Sequence, residues 1–328
     1  MAAPALLEVR DLTVSYPAES GAVRVVDGVS FDLAPGEFLG IVGESGSGKS
    51  QMLLSLLGLN GPRARIGGSA RYRGIELVGA RERTLAQVRG ARIGLVFQDP
   101  MTALNPYLTI GTQLTEGVRL HQRLGRRAAR SRALELLESV QVPEPLHRFG
   151  QHPHELSGGM RQRVVIAMTL ICEPDIVLAD EPTTALDVTI QAQILALLRD
   201  LRARTRAALV LVTHDLGVIA EVADRVAVMY AGRIVEQASA EQIFADPLHP
   251  YTHALRASVV ELTGPLPERL TGIEGNPPDP AALPAGCAFA PRCPYAFERC
   301  LAQRPALRVE EPGRARACFH AGPLGGKS

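Results

Sequence analysis

Lysine is nearly absent from this chain. Of 35 basic residues only Lys49 and Lys327 are lysines, and the rest are arginines. An excess of charge of either sign is also missing: 34 acids oppose those bases, for a formal net charge of +1. No long-range field therefore points toward DNA or RNA, and no nucleic-acid partner is expected. Long apolar runs are lacking too, with none reaching the roughly 18–20 residues of a membrane span. The opening residues Met1–Arg10 carry no basic segment followed by a long apolar stretch, so no signal peptide is read there and a cytoplasmic location is expected. Cysteine is scarce up to residue 286, where only Cys172 occurs, and then four lie between Cys287 and Cys318. In a reducing compartment such clustering favours metal over disulfides. What is plentiful is apolar surface: 46% hydrophobic residues in 328 can bury a substantial core, in one large domain with an addition or in two domains.

The lone internal lysine sits in Gly43-Glu44-Ser45-Gly46-Ser47-Gly48-Lys49-Ser50. A glycine-rich loop curled around a phosphate has room for a compact ammonium and not for the planar guanidinium fork. The pattern is that of the P-loop, in which backbone N–H groups cradle phosphates, the lysine reaches the β- and γ-phosphates, and the hydroxyl binds Mg²⁺. Its surroundings fit, since Phe38–Val42 reads as a buried strand and Gln51–Leu57 as the start of a helix.

Elsewhere Val9–Tyr16 and Val23–Leu33 read as strands, with a turn at Ala34–Glu37. From Ile110 to Leu146 the texture is helical, with Leu134, Leu137 and Val140 at helical spacing and Leu136 nearby. Arg119, Arg123, Arg126, Arg127, Arg130 and Arg132 there read as a solvated face. Between Val164 and Val235 strand-like and helical runs alternate, which implies parallel βαβ units. Residues 262–286 hold six prolines and read as an ordered linker. No internal repeat is present, so the chain carries motifs for one nucleotide site.

Two further motifs carry chemistry. Ile176–Ala179 is an apolar run ending in Asp180 and Glu181. In P-loop enzymes the acid at such a strand end shares Mg²⁺ with the loop hydroxyl, here Asp180 with Ser50, and Glu181 is suited to activate water. Leu156-Ser157-Gly158-Gly159 precedes the apolar helix from Val164, a second anion site built from open N–H groups, a hydroxyl and a helix N-terminus. Alone, either motif reads as an ordinary strand end or helix cap.

In this order the P-loop, Leu156–Gln162 and Asp180-Glu181 resemble the nucleotide-binding subunits of ABC transporters. Tyr16 matches the aromatic that stacks on adenine, and Gln98 the glutamine that senses Mg²⁺ and the membrane partner. Ala185-Leu186-Asp187 matches the segment at the dimer interface, and His214 the switch histidine. His249-Pro250-Tyr251-Thr252, Gly286-Cys287 and Pro291-Arg292-Cys293 are similar to the C-terminal extension of dipeptide and oligopeptide importer ATPases. Gln51 departs from the hydroxyl residue common after the P-loop serine, but peptide-importer subunits often have glutamine there; Thr184 stands where serine is common.

The resemblance implies an α/β fold: a P-loop ABC-type nucleotide-binding domain over residues 1–261, with a parallel or mixed sheet core, a β arm and a helical subdomain at about 105–165. A C-terminal extension with a four-cysteine site would occupy 262–328. It implies an ATPase that closes head to tail over ATP and Mg²⁺, with the nucleotide bound by Tyr16, Gly43–Gln51 and the partner's counterparts of Ser157, Gly158 and Gly159. Mg²⁺ would be held by Ser50, Gln98 and Asp180, and catalysis carried by Glu181, His214 and Gln98. Two permease subunits, a second ATPase chain and, indirectly, an extracytoplasmic solute-binding protein would be partners, with this chain peripheral on the cytoplasmic membrane face. Peptides are the expected solute. Nickel, an opine or a sugar, and a non-transport ABC role, are the alternatives.

Cys287, Cys293, Cys300 and Cys318 lack the C-x₂₋₄-C pairs of zinc fingers. Related peptide-importer subunits carry a 4Fe–4S cluster at such cysteines, so a cluster is expected, with Zn²⁺ or free thiols as alternatives and His320 as a substitute ligand. Cys172 reads as a small core residue.

Overall fold

Unbroken apolar runs of β-branched residues form the innermost strands, as expected where both faces of a sheet are covered. The structure is a computed structural model that describes residues 5–19, 21–183, 187–259 and 272–324. Among them the strands are β1 (Leu7–Ala18), β2 (Gly21–Leu33), β3 (Phe38–Val42), β4 (Arg65–Tyr72), β5 (Ile75–Glu76), β6 (Ile93–Val96), β7 (Ile176–Asp180), β8 (Ala208–Thr213), β9 (Arg225–Tyr230), β10 (Arg233–Ser239), β11 (Arg308–Glu311) and β12 (Arg314–Arg316). Every residue of β3, β7 and β8 is buried. By their internal contacts the described residues divide into two compact units, one of residues 34–37 and 80–211, the other of residues 5–33, 38–79 and those described beyond 211.

In the 80–211 unit β6 and β7 pair in parallel, Ile93 opposite Ile176 and Val96 opposite Ala179. The helical portion comprises Ile110–Gln122, Arg126–Ser139, Pro145–Phe149 and Gly158–Leu170. On Arg126–Ser139 the inward stripe is Ala129, Ala133 and Leu137, spaced four apart on one face. Leu134 and Leu136 are only half-buried, because four-residue spacing from Ala129 aims them to the flanks. Of the arginine cluster, five members are exposed and Arg132 is half-buried, paired with Glu173.

The other unit has a four-stranded antiparallel arm, ordered β2-β1-β4-β5, and a run of strands ordered β11-β12-β10-β9-β3. β3 and β9 are parallel, Leu39 opposite Arg225 and Val42 opposite Val228, while β9 and β10 are antiparallel. The hairpin β11–β12 was not legible as strand: its strands are short, and their largely charged residues are exposed or half-buried. It forms because Glu236 and Gln237 of β10 offer an edge to Arg316 and Ala315. Among the described residues no helix is long and apolar enough to cross a membrane.

Candidate active site

The P-loop joins β3 to the helix Lys49–Leu56, and its curvature depends on two glycines. A Cβ on Gly43 would stand 2.1 Å from the Met229 carbonyl oxygen. One on Gly48 would stand 2.3 Å from that of Val25, at a φ of +98° that L-residues rarely adopt. The Lys49 ammonium is buried inside the loop, accepted by the carbonyl oxygens of Gly43 at 2.7 Å and Glu44 at 3.0 Å, with Ser47 Oγ at 3.4 Å. A cation held by neutral carbonyls beside a helix N-terminus fits a multiply charged phosphate. Beside the loop the Tyr16 hydroxyl donates to Gln51 Oε1 at 2.5 Å, and Asn60 Nδ2 donates to the same oxygen at 2.9 Å.

In the 80–211 unit the carboxyl ends of β6 and β7 bring two of the expected catalytic residues together. Gln98 lies two residues past β6 and Glu181 one past β7, and Gln98 Nε2 donates to Glu181 Oε2 at 3.3 Å. Asp180 is buried at the strand end. Glu181 has a φ of +44°, a left-handed conformation for a residue with a full side chain. Backbone strain of this kind persists where surrounding structure imposes it, and it concentrates at functional sites. Ser157 is the N-cap of Gly158–Leu170, its hydroxyl accepting from the Met160 N–H at 3.4 Å. A Cβ on Gly158 would meet nothing within 4 Å, so this helix start is open.

His214 is exposed directly after β8, and its neighbour Asp215 caps the helix Leu216–Val222 by accepting from the Gly217 N–H at 2.8 Å. Asp187 likewise caps Val188–Thr205, accepting from the Ile190 N–H at 2.9 Å. Ala185, Leu186 and Thr184 lie outside the described residues.

Comparison with known proteins matches residues 26–184 to the family described as ABC transporter and residues 235–300 to the oligopeptide/dipeptide transporter C-terminal region. The chain is 49% identical to the oligopeptide transport ATP-binding protein OppD of Salmonella typhimurium, covering 96% of this chain and 93% of that protein. The chain belongs to the ABC transporter ATPases. OppD of Escherichia coli is 48% identical over 97% of this chain and 94% of its own, and a putative peptide import ATP-binding protein of Brucella abortus is 50% identical over 95% and 94%. The solved ATP-binding cassette MJ0796 in a dimeric post-hydrolysis state bound to ADP and Pi is 30% identical, with a TM-score of 0.65 over 71% of this chain and 98% of that one. CbiO1 of Clostridium perfringens is 26% identical, with a TM-score of 0.62 over 74% and 92%. As a member of this family the chain is an ATP-hydrolysing enzyme with the mixed α/β fold of a P-loop ABC cassette, and the P-loop geometry above fits ATP with Mg²⁺.

The expected iron–sulfur cluster, and with it the zinc alternative, is corrected. Among the described residues no group of three or more His, Cys, Asp or Glu side chains is arranged to hold a metal ion. Cys287, Cys293, Cys300 and Cys318 do line one cavity with Tyr295, Phe319 and His320, Cys300 buried and the other three half-buried. Burial raises the pKa of Cys287 and Cys318 and pushes that of Cys293 up to about 11. The segment has little apolar periodicity of its own. It is anchored by one aromatic: Phe289, 2% exposed, packs on Tyr230 and Tyr251 with ring centroids 5.3 and 5.4 Å away. Close backbone packing adds to this, since a Cβ on Gly286 would stand 2.2 Å from the Cys300 carbonyl oxygen. Cys172 is buried, as expected.

The residues that sequence reasoning left without a role are in the His249–Thr252 motif. Glu236, fully buried, accepts from the N–H groups of Leu248 at 2.6 Å and His249 at 2.8 Å. Burial raises the Glu236 pKa, and those N–H donors together with the Thr252 hydroxyl oppose the rise. His249 Nδ1 accepts from the Tyr251 N–H at 3.0 Å and so caps the helix Pro250–Ala257. Tyr251, on that helix, accepts from the Glu44 N–H of the P-loop at 2.8 Å.

Proposed function

We propose that this chain is the ATPase subunit of a membrane importer of di- or oligopeptides. The observation that carries the choice of solute is the match of residues 235–300, because the cassette chemistry is common to importers of any solute. The names of the similar proteins from Salmonella, Escherichia and Brucella support it. In this reading residues 1–261 form the nucleotide-binding domain, with the helical insert at about 105–165, and 262–328 the extension.

Gly43–Ser50 binds the phosphates of ATP, with Lys49 neutralising the β- and γ-phosphates and Tyr16 and Gln51 flanking the base side. Ser50, Asp180 and Gln98 would hold Mg²⁺, which when bound offsets charge on the phosphoryl oxygens. Glu181 orients and deprotonates the attacking water, Gln98 holds the Glu181 carboxylate, and His214 contacts the γ-phosphate. Ser157, Gly158 and Gly159 cap the ATP of a neighbouring ATPase chain, so the γ-phosphate joins two chains and its loss releases them. The neighbour is a second, different ATPase chain, and the pair works with two permease subunits beneath a solute-binding protein, on the cytoplasmic membrane face. Phe97, Met101, Tyr107, Leu120 and Leu146 are exposed and apolar, the chemistry that a short helix of a permease subunit would bury.

Glu181→Gln should keep ATP affinity and lower turnover by about 10²-fold or more, because a general base is lost while phosphate contacts remain. Steady-state hydrolysis above about a tenth of wild type would remove Glu181 from the role of base. Reconstituted with permease subunits in vesicles, the chain should hydrolyse ATP faster when peptide-loaded binding protein is present, and a response to a different solute class would overturn the peptide assignment.

A further inference from the structure

The C-terminal segment grips the P-loop at Glu44, a residue to which the reaction gives no chemical step. Tyr251 takes the Glu44 backbone N–H at 2.8 Å. Arg292 takes its carboxylate with both arms of the fork, Nη1 to Oε2 at 2.6 Å and Nη2 to Oε1 at 2.9 Å. The other three guanidinium hydrogens are also used: Nε donates to the Glu274 carbonyl at 2.8 Å, Nη1 to the Tyr230 hydroxyl at 3.3 Å and Nη2 to the Ile273 carbonyl at 3.3 Å. All five donors of the side chain thus have acceptors, and the fork has one orientation.

This ion pair is not a surface ornament. The Arg292 side chain is 6% exposed and that of Glu44 23%. Burying both charges has a desolvation cost that can cancel their attraction, so such a pair is weak evidence for stability and better evidence for geometry. Its base is rigid: Arg292 lies three residues after the anchoring Phe289, and its guanidinium stands 5.9 Å from that ring. The grip falls on the first turn of the loop, one residue after Gly43 and beside the Glu44 carbonyl that Lys49 contacts.

We propose that Arg292 is a positioning residue for nucleotide binding: through Glu44 it holds the P-loop in its phosphate-receiving shape, and the C-terminal segment thereby sets the affinity for nucleoside triphosphate. The proposal rests on the reading of Gly43–Ser50 as the ATP loop. A mere structural tie would alter melting and leave the affinity of the folded protein unchanged. Positioning raises Kd and KM and spares the chemical step.

The test uses the full chain with Arg292→Ala, Arg292→Lys, Glu44→Gln and, as a control on the loop itself, Lys49→Ala. Binding of a fluorescent ATP analogue with Mg²⁺, melting without nucleotide, and KM and kcat are measured. Arg292→Ala should raise Kd and KM at least about tenfold while kcat at saturation stays within about twofold. Arg292→Lys should fall between, since an ammonium keeps the charge and loses the fork. Glu44→Gln, nearly isosteric, should weaken binding as Arg292→Ala does, and adding Arg292→Ala to it should cost less than about twofold more. The proposal is overturned if Glu44→Gln and any folded Arg292 variant bind within about twofold of wild type while Lys49→Ala loses binding. If Lys49→Ala itself binds normally, the ATP-loop reading fails and takes the proposal with it. Should Arg292→Ala not fold, Glu44→Gln and Arg292→Lys decide.

Discussion

The chain has two glycine-rich helix starts suited to anions, and they are built in opposite ways. At the P-loop Ser47 and Lys49 are buried, Gly43 and Gly48 are hemmed in by the carbonyls of Met229 and Val25, and Glu44 is gripped by Tyr251 and Arg292. At Ser157–Gly159 the serine is exposed, its hydroxyl accepts from the Met160 N–H of its own helix, and Gly158 faces open space, while a Cβ on Gly159 would stand 3.2 Å from the Ile190 side chain. A loop that must hold a polyphosphate unaided is preorganised, because donors aimed in advance need no reorganisation when charge arrives. A loop that meets its anion only when another chain delivers it must stay accessible.

The largest expected effect breaks the preorganised side. Gly48→Ala places a Cβ against the Val25 carbonyl at a φ of +98°, and ATP affinity should fall by about 10³-fold or more, as several donors move together. Titration with a fluorescent nucleotide checks this, and Gly158→Ala should leave the chain's own ATP affinity unchanged.

The next effect is acid sensitivity on the P-loop side. Burial lowers the pKa of His249 from 6.5 to about 3, Arg316 adds to the lowering, and the Ala317 carbonyl opposes it. The unfolded chain therefore binds a proton below pH 6.5 that the folded chain refuses until about pH 3. Stability from this group is complete above about 6.5 and is lost as pH falls toward 3, by roughly 3 kcal/mol at pH 4. Glu236, with a raised pKa, works in the opposite direction below neutrality. His249→Asn keeps a cap acceptor and removes the titration, so denaturant unfolding of the two proteins should diverge by that amount between pH 7 and pH 4.

The smallest effect falls on the open side. Ser157→Ala removes an exposed cap, which should cost about 1 kcal/mol in stability. It should leave this chain's own ATP binding intact and lower hydrolysis only in the assembled pair. Equal loss of ATP binding in the isolated chain would erase the contrast between the two loops.

What the sequence determined by itself was whatever depends on local spacing. The strand–loop–helix around Lys49, the apolar strand ending in Asp180 and Glu181, and the cap at Ser157 each follow from neighbouring residues whose backbone requirements are local. Motif order then led to the family. What tertiary structure alone decided involves partners far apart in the chain: the Gln98–Glu181 contact, the hairpin β11–β12 added to β10, and the grip of Arg292 on Glu44, 248 residues away. The cysteine segment was misread for the same reason. Four thiols late in the chain resemble a ligand set in sequence, whereas what anchors their segment is the packing of Phe289 on Tyr230 and Tyr251, partners that no spacing encodes.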